Sequence, residues 1–207
     1  MPNVVSTSRA PNPRGRGEQL RHDLVDAARD LLLTTRDVTP FSLRAVAKVV
    51  GVSPTAVYRH FGSAALLVDA VLEDQADSLR EQVAADERVA LDVPRLIELG
   101  LRYVRWGLGN PGGYQLLFES ADRLGDGGGP GTPGWDMIET LGGLLAASGE
   151  RSARDAAVLA IRAWSALHGL VSLRIHKPDP PWPTTVEEEV AALTAHLFGE
   201  DGLEGAH

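Results

Sequence analysis

The sequence predicts an all-α protein of about nine helices, because apolar residues recur at three- and four-residue intervals along most of its 207 residues and nowhere alternate as in a half-buried strand. The composition supports a core: 43% of residues are hydrophobic and 23% charged, unlike chains that stay disordered. Charge divides the chain. Up to Ser63, nine basic residues oppose five acidic ones, a net of +4, and the remainder carries −12 to give −8 overall. A small basic module ahead of a large acidic body is the pattern of a protein that meets a polyanion at one end only. The lack of cysteine excludes disulfide frameworks, thiol nucleophiles, iron–sulfur clusters and zinc ribbons, and suits a reducing, cytoplasmic location.

Residues 1–15, with Pro2, Pro11, Pro13 and Gly15 and no apolar run, read as a flexible basic tail, neither signal peptide nor anchor. From Arg16 the series Leu20, Leu24, Ala27, Ala28, Leu31 predicts an amphipathic helix to Thr34 or Thr35. Short helices are predicted at 42–49 and 54–60, then a long one from Ala64 to Glu87 carrying Leu66, Leu67, Ala70, Val71 and Leu79. Pro94 suits the first turn of a helix that runs to Leu108, where Asn110-Pro111-Gly112-Gly113 breaks it, and a shorter helix is expected from Tyr114 to Ala121. Gly125 to Gly134 reads as a mobile surface loop. It lacks the Gly-Lys-Ser/Thr ending of a P-loop and follows no strand.

Three helices remain, at 134–148, 152–176 and 185–198, separated by Ser148-Gly149 and by Pro178, Pro180, Pro181 and Pro183. Between Ala156 and Leu173 the only charge is Arg162. The length permits a membrane span, but the abundance of alanine, together with Ser165, His168 and Ser172, favours a helix buried on all sides, which in so small a chain implies a partner. Val186, Val190, Leu193 and Leu197 form a stripe on the last helix, so these last two helices are expected to build a four-helix interface across a two-fold axis, with no membrane involved. The domain reading is tail 1–15, a three-helix module 16–63, and a helical bundle 64–207.

The most informative run is FSLRAVAKVVGVSPTAVYRHF, Phe41 to Phe61. Ala47 is small where two helices must approach, Gly51 follows four residues later where a turn needs positive φ, and Val57, ten residues past Ala47, faces inward from the next helix. That is helix-turn-helix spacing. Ser53 is placed to cap the second helix and Pro54 to occupy its first position, while Val46, Val50 and Val52 supply the apolar seam. Ser53, Thr55, Tyr58 and Arg59 are left facing outward, with His60, Arg44 and Lys48 nearby, a set suited to groove edges and phosphate oxygens.

The run SLRAVAKVVGVSPTAVYRHFGS, continuing into Leu66, Leu67 and Ala70, resembles the DNA-binding region of the TetR family of transcriptional regulators over about residues 18–72. Trp164, His168 and Gly169 in AWSALHGL, with YVRWGLGNPGGYQLLFE, resemble members whose C-terminal domain carries a Trp-His-Gly signature. The resemblance implies a homodimer that binds a pseudo-palindromic double-stranded DNA operator, usually as a repressor, and releases it when a small molecule enters the C-terminal domain. It implies base contacts from Arg44, Pro54, Thr55 and Ala56, phosphate contacts from Ser42, Ser53, Tyr58 and His60, and a groove-facing Arg59. Where the family commonly carries a phosphate-holding lysine at the start of helix 4, this chain has Ala64.

Tyr103, Trp106, Tyr114, Phe118 and Trp164 come from helices that line the ligand cavity in that family and are expected to line one here, core packing being the alternative for each. Arg162 and His168 stand on the most apolar helix, so each is expected to need a partner, a ligand carboxylate or an internal acidic side chain. No metal or cofactor is expected: the six histidines form no His-x3-His pair and no HExxH. Without a Gly-x-Ser-x-Gly elbow or dinucleotide fingerprint, no enzyme is expected, and Glu187 to Glu189 read as a helix N-terminal charge cluster. The rival reading is an all-α small-molecule or protein-binding dimer that has lost DNA binding, motivated by Ala64 and the acidic total.

Overall fold

The structure, a computed structural model, describes residues 14–35, 41–84, 91–119, 132–147, 152–179 and 181–199. Among them all regular structure is helical: α1 (Arg14–Thr35), α2 (Leu43–Val50), α3 (Pro54–His60), α4 (Ala64–Val83), α5 (Val93–Gly109), α6 (Pro111–Phe118), α7 (Pro133–Ala147), α8 (Ala153–His176) and α9 (Val186–Phe198). Helix α1 begins two residues before Arg16, because Pro13 is the last residue unable to continue a helix and Gly15 is merely a weak former. Arg14 and Gly15 therefore belong to α1. The rest of the expected tail, and the loop from Gly125 to Gly131, lie outside the described residues, while Pro133 and Gly134 open α7. Helix α4 ends at Val83, short of Glu87.

The chain divides into two compact units, residues 1–71 and 72–207. In the first, α1 packs on α2 and α2 on α3. Leu24, Ala28, Val46, Ala47, Val57, Leu67 and Val71 are buried to 1% exposure or less, which is the inward set the spacing requires. Leu66 is not in it: at 54% exposure it faces solvent, one residue off the stripe that Leu67 and Val71 share.

In the second unit α5 is central, packing on α6, α8 and α9, while α7 lies along α8. Tyr103, Val104, Trp106, Tyr114, Leu117, Val171 and Val190 form one core cluster; Ile138, Leu145, Ala156, Leu159, Ala160 and Phe198 contribute to a second. Gly107 lets α5 meet its neighbours, since a Cβ there would sit 2.6 Å from Val171 Cγ1 and 2.9 Å from Tyr114 Cδ2.

The NPGG segment does not only stop α5; it starts α6. Asn110 closes α5 through its backbone N–H to the Trp106 carbonyl, and its side chain accepts the Gly113 N–H at 3.3 Å. Pro111 fits the first turn, so α6 takes in both glycines and runs three residues ahead of the expected start.

One expectation about the last helices is corrected. Helix α8 has the length and composition to cross a membrane, and within the single chain it is covered on one side: Leu159, Ala160, Ala163 and Val171 face the core, whereas Val158, Ile161 and Leu173 are 39%, 42% and 55% exposed. The stripe of α9 is spent internally. Val190 is fully buried, Val186 and Leu197 pack on the core clusters, and Leu193 faces a cavity described below. A capping box between Thr185 and Glu188 begins α9, and bonding to Thr185 holds the Glu188 carboxyl below its ordinary range.

Gly143, exposed in the middle of α7, has nothing within 4 Å of where a Cβ would stand. Gly143→Ala is expected to stabilise the chain by about 0.5–1 kcal/mol, read as a raised urea midpoint at unchanged slope.

Candidate nucleic-acid interface and ligand cavity

The turn between α2 and α3 is built as its residues require. Gly51 adopts φ +75°, the left-handed conformation that a side chain disfavours, and its N–H closes α2 on the Ala47 carbonyl. Ser42 and Ser53 cap α2 and α3, their Oγ atoms accepting the Ala45 and Ala56 N–H groups at 3.2 Å each. Each hydroxyl proton stays free for another acceptor. At the far end of α3 the Arg21 guanidinium lies 5.1 Å over the Phe61 ring, tying α1 to the end of the motif.

With Val57 inward, Ser53, Pro54, Thr55, Tyr58 and Arg59 are exposed, Tyr58 at 54%, and Ala56 and His60 are half-buried. Ser42, Arg44 and Lys48 are exposed on α2. A phenol left that far out of the core carries a hydroxyl ready to bond, and the basic side chains of α2 and α3 are accompanied by no acidic residue in either helix.

In the second unit, a cavity of about 350 Å³ opens between α4, α5, α7, α8 and α9. Aliphatic side chains dominate it: Leu96, Leu99, Leu141, Leu144, Leu167, Leu193 and Leu197, with Met137 and Phe198. Its polar groups are Arg80, Tyr103, Asp136, Thr140, Trp164 and Thr194.

Residues 24–71 match the family model for bacterial regulatory proteins of the tetR family, and residues 96–197 match the tetracyclin repressor-like C-terminal domain. The chain belongs to the TetR family. Among solved structures, a TetR-like transcriptional regulator from Rhodococcus sp. RHA1 aligns with a TM-score of 0.66 and 21% identity over 94% of this chain and 100% of its own. A second transcriptional regulator from Rhodococcus aligns at 0.63 and 18% identity over 84% of this chain and 94% of its own. A tetR-family regulator from Streptomyces coelicolor aligns at 0.61 and 17% identity over 86% and 78%. At these identities the likeness is one of fold. No curated protein matches the sequence.

Of the residues that the TetR resemblance assigned to a pocket, the structure brings only Tyr103 and Trp164 to the cavity. Trp106 is buried with its indole N–H donated to Ser78 Oγ at 3.1 Å. Arg162 is exposed and needs no internal partner, because it lies between the inward positions 159 and 163. Tyr114, Phe118 and His168 form a separate aromatic nest. Tyr114 and Trp164 both stack on the His168 ring, with interplanar angles of 22° and 24°, and Phe118 meets His168 edge-on.

Hydrogen bonds thread that nest. The Tyr103 and Tyr114 hydroxyls are 3.1 Å apart, and the Tyr114 hydroxyl lies 2.5 Å from His168 Nδ1. Burial lowers the His168 pKa, against the opposing pull of the Glu119 carboxylate, so the ring is neutral at neutral pH and Nδ1 accepts from Tyr114 when the ring proton sits on Nε2. Burial raises both phenols, Tyr114 further through its proximity to Tyr103, so both stay protonated. Glu119 accepts from Ser172 at 3.0 Å and pairs with His176 at 2.9 Å. The partner foreseen for His168 is therefore a phenol, not a carboxylate.

The cavity's aliphatic lining was missed because aromatic content guided the choice. The signal that was available is the breadth of the apolar faces of α5 and α9: Leu99 lies beside the buried stripe of α5 that holds Leu96, and Leu193 and Leu197 lie on the stripe of α9.

Proposed function

We propose that this TetR-family regulator is a cytoplasmic, non-enzymatic repressor that binds a pseudo-palindromic operator as a homodimer and releases it when a small molecule occupies the cavity of residues 72–207. The observation that carries the reading is the outward face of the helix-turn-helix: Thr55, Tyr58 and Arg59 exposed on α3 beside Arg44 and Lys48 on α2, with no acidic side chain on either helix. In this reading Arg44, Pro54, Thr55, Ala56 and Arg59 meet base edges in the major groove. Ser42, Ser53, Tyr58 and His60 hold phosphates, the serines through the protons that capping leaves free. Ser63 Oγ caps α4 by accepting the Leu66 N–H at 3.2 Å, so with Ala64 in place of a lysine a phosphate there is met by backbone alone, which lowers the salt dependence of binding.

The dimer surface is assigned to the exposed apolar face of α8, Val158, Ile161 and Leu173, alongside the small outward residues Ala192 and Ala195 of α9. These replace the inward α9 stripe as the face two copies share.

Selection from a random duplex library at fixed near-physiological salt, with wild type beside Tyr58→Ala, tests the reading. Enrichment of an inverted repeat by wild type alone supports it; enrichment by neither overturns it in favour of a binding module that no longer engages DNA. On the selected operator, Arg44→Ala is expected to cost about 1–3 kcal/mol and to relax base preference at the position it reads, whereas Tyr58→Phe and His60→Ala weaken operator and random DNA alike. Equal loss on both DNAs for Arg44→Ala would remove Arg44 from base reading.

A further inference from the structure

His168 has a hydrogen-bond partner ready for each of its protonation states. The neutral ring accepts the Tyr114 O–H at Nδ1, 2.5 Å away, and because the one Tyr114 proton is spent there, its oxygen accepts in turn from Tyr103 at 3.1 Å. The same Tyr114 hydroxyl lies 3.3 Å from the His168 backbone carbonyl, whose second lone pair the helix does not use. A proton arriving at Nδ1 therefore strands no group. Nδ1–H donates to the Tyr114 oxygen, whose two lone pairs take it and the Tyr103 proton together, and the Tyr114 O–H turns to the carbonyl.

The positive ring is also provided for. The Tyr114 and Trp164 rings stack on it with centroids 5.5 and 5.0 Å away, within the reach at which a π face attracts a cation. The Glu119 carboxylate attracts it as well, while burial opposes the charge, so the exchange belongs to mildly acid solution. The ring is half-buried, which leaves it in contact with solvent. Among the described residues, the titratable groups around it are Tyr103 from α5, Tyr114 and Glu119 from α6, and His176 further along α8, which pairs with Glu119 Oε2 at 2.9 Å.

Tyr114 is carried by α6, and an ordinary O–H···O bond of about 2.7–2.8 Å to the carbonyl draws its hydroxyl toward α8. At the start of the same short helix, Asn110 caps the Gly113 N–H and bonds Gln75 of α4 at 2.7 Å. Packed helices answer sub-ångström shifts of this kind by changing arrangement, not by yielding smoothly.

We propose that His168 and Tyr114 form a proton switch: the neutral ring holds α6 through Nδ1, the protonated ring holds it through Nδ1–H and the His168 carbonyl, and the change, passed along α6 to Gln75, makes operator binding respond to mildly acid pH independently of the cavity. The effect on DNA rests on the regulator reading; the switch itself does not.

The switch is tested on the full-length chain labelled with nitrogen-15, by following the His168 ring nitrogens between pH 8 and pH 5. We expect Nδ1 to be bare at pH 7.5 and to gain its proton with a midpoint below 6.5 while the chain stays folded. Tyr114→Phe decides whether the hydroxyl turns. If it turns, the variant's protonated ring loses the stronger, charge-assisted bond, and its proton affinity falls at least threefold. If the hydroxyl stays aimed at Nδ1, it opposes the proton, and removing it raises the midpoint. A raised or unchanged midpoint, a proton on Nδ1 at pH 7.5, or a ring that stays neutral until the chain unfolds would overturn the proposal, and the last two are read on wild type alone. On the operator found by library selection, the ratio of affinities at pH 7.5 and pH 5.5 should differ at least threefold between wild type and His168→Gln, a comparison that cancels the titration of His60 at the DNA. Equal ratios overturn the effect on DNA alone, and a library that enriches no operator overturns the regulator reading while the ring titration still decides the switch.

Discussion

Gly113→Ala is expected to destabilise the chain by about 2–4 kcal/mol, although helix propensity by itself favours alanine within α6 by up to about 1 kcal/mol. The sign is decided by what surrounds the missing side chain. A Cβ on Gly113 would stand 2.1 Å from Gln75 Oε1 and 2.3 Å from Asn110 Nδ2. Both atoms end flexible side chains, but neither is free to leave. Gln75 is buried and its Oε1 accepts from Asn110 Nδ2 at 2.7 Å, while Asn110 Oδ1 caps α6 on the Gly113 N–H. Making room therefore strips a buried amide of its partner, at about 1–3 kcal/mol, and removes a helix cap, at about 0.5–2 kcal/mol. Urea denaturation of Gly113→Ala beside Gly143→Ala checks this directly: the same substitution, each within a helix of the second unit, is expected to give shifts of opposite sign. A stabilised Gly113→Ala would show that the Gln75–Asn110 pair relaxes freely and does not define the α5–α6 junction.

Tyr114→Phe is expected to cost about 2–3 kcal/mol at pH 7.5 while leaving the ring packing intact. The lost hydroxyl is shared by the Tyr103 hydroxyl, which is buried, and by His168 Nδ1 on a half-buried ring, so both partners lose a bond formed largely away from water. A pH dependence accompanies it. Burial holds the His168 pKa below the ordinary 6.5, so below that pH the unfolded chain binds a proton that the folded chain resists. The sign follows: the contribution is intact above about pH 6.5 and declines as pH falls toward the lowered folded value. Wild-type melting temperature should therefore drop between pH 7 and pH 5, and His168→Gln should flatten that part of the profile. An unchanged slope in His168→Gln would assign the acid sensitivity to other groups. The raised phenols act at the opposite end, since ionisation of Tyr103 and Tyr114 in the unfolded chain removes stability as pH rises past 10.

Much of the first unit was legible in the sequence because its information is local. Gly51 at positive φ, Ser53 and Pro54 opening α3, and Ala47 and Val57 at full burial all follow from residue spacing within one turn and two short helices. The NPGG segment was legible as a boundary but misread in kind, since whether Asn110 ends one helix or also begins the next depends on where its side chain finds an N–H. In the second unit, periodicity located the helices to within a few residues yet misassigned several faces. The α9 stripe was offered to a partner and is consumed by the chain's own core.

By itself, the sequence determined an all-α chain with a basic helix-turn-helix ahead of an acidic helical body, since apolar period, caps and turn residues act between neighbours a few positions apart. Only the tertiary structure decided that the cavity is aliphatic and shared by five helices, that Arg162 faces solvent, and that His168 is held by a phenol. Those outcomes depend on how helices drawn from Arg80 to Phe198 cross one another. An apolar side chain is equally content packed in a core or bordering a void, so no local pattern distinguishes the two.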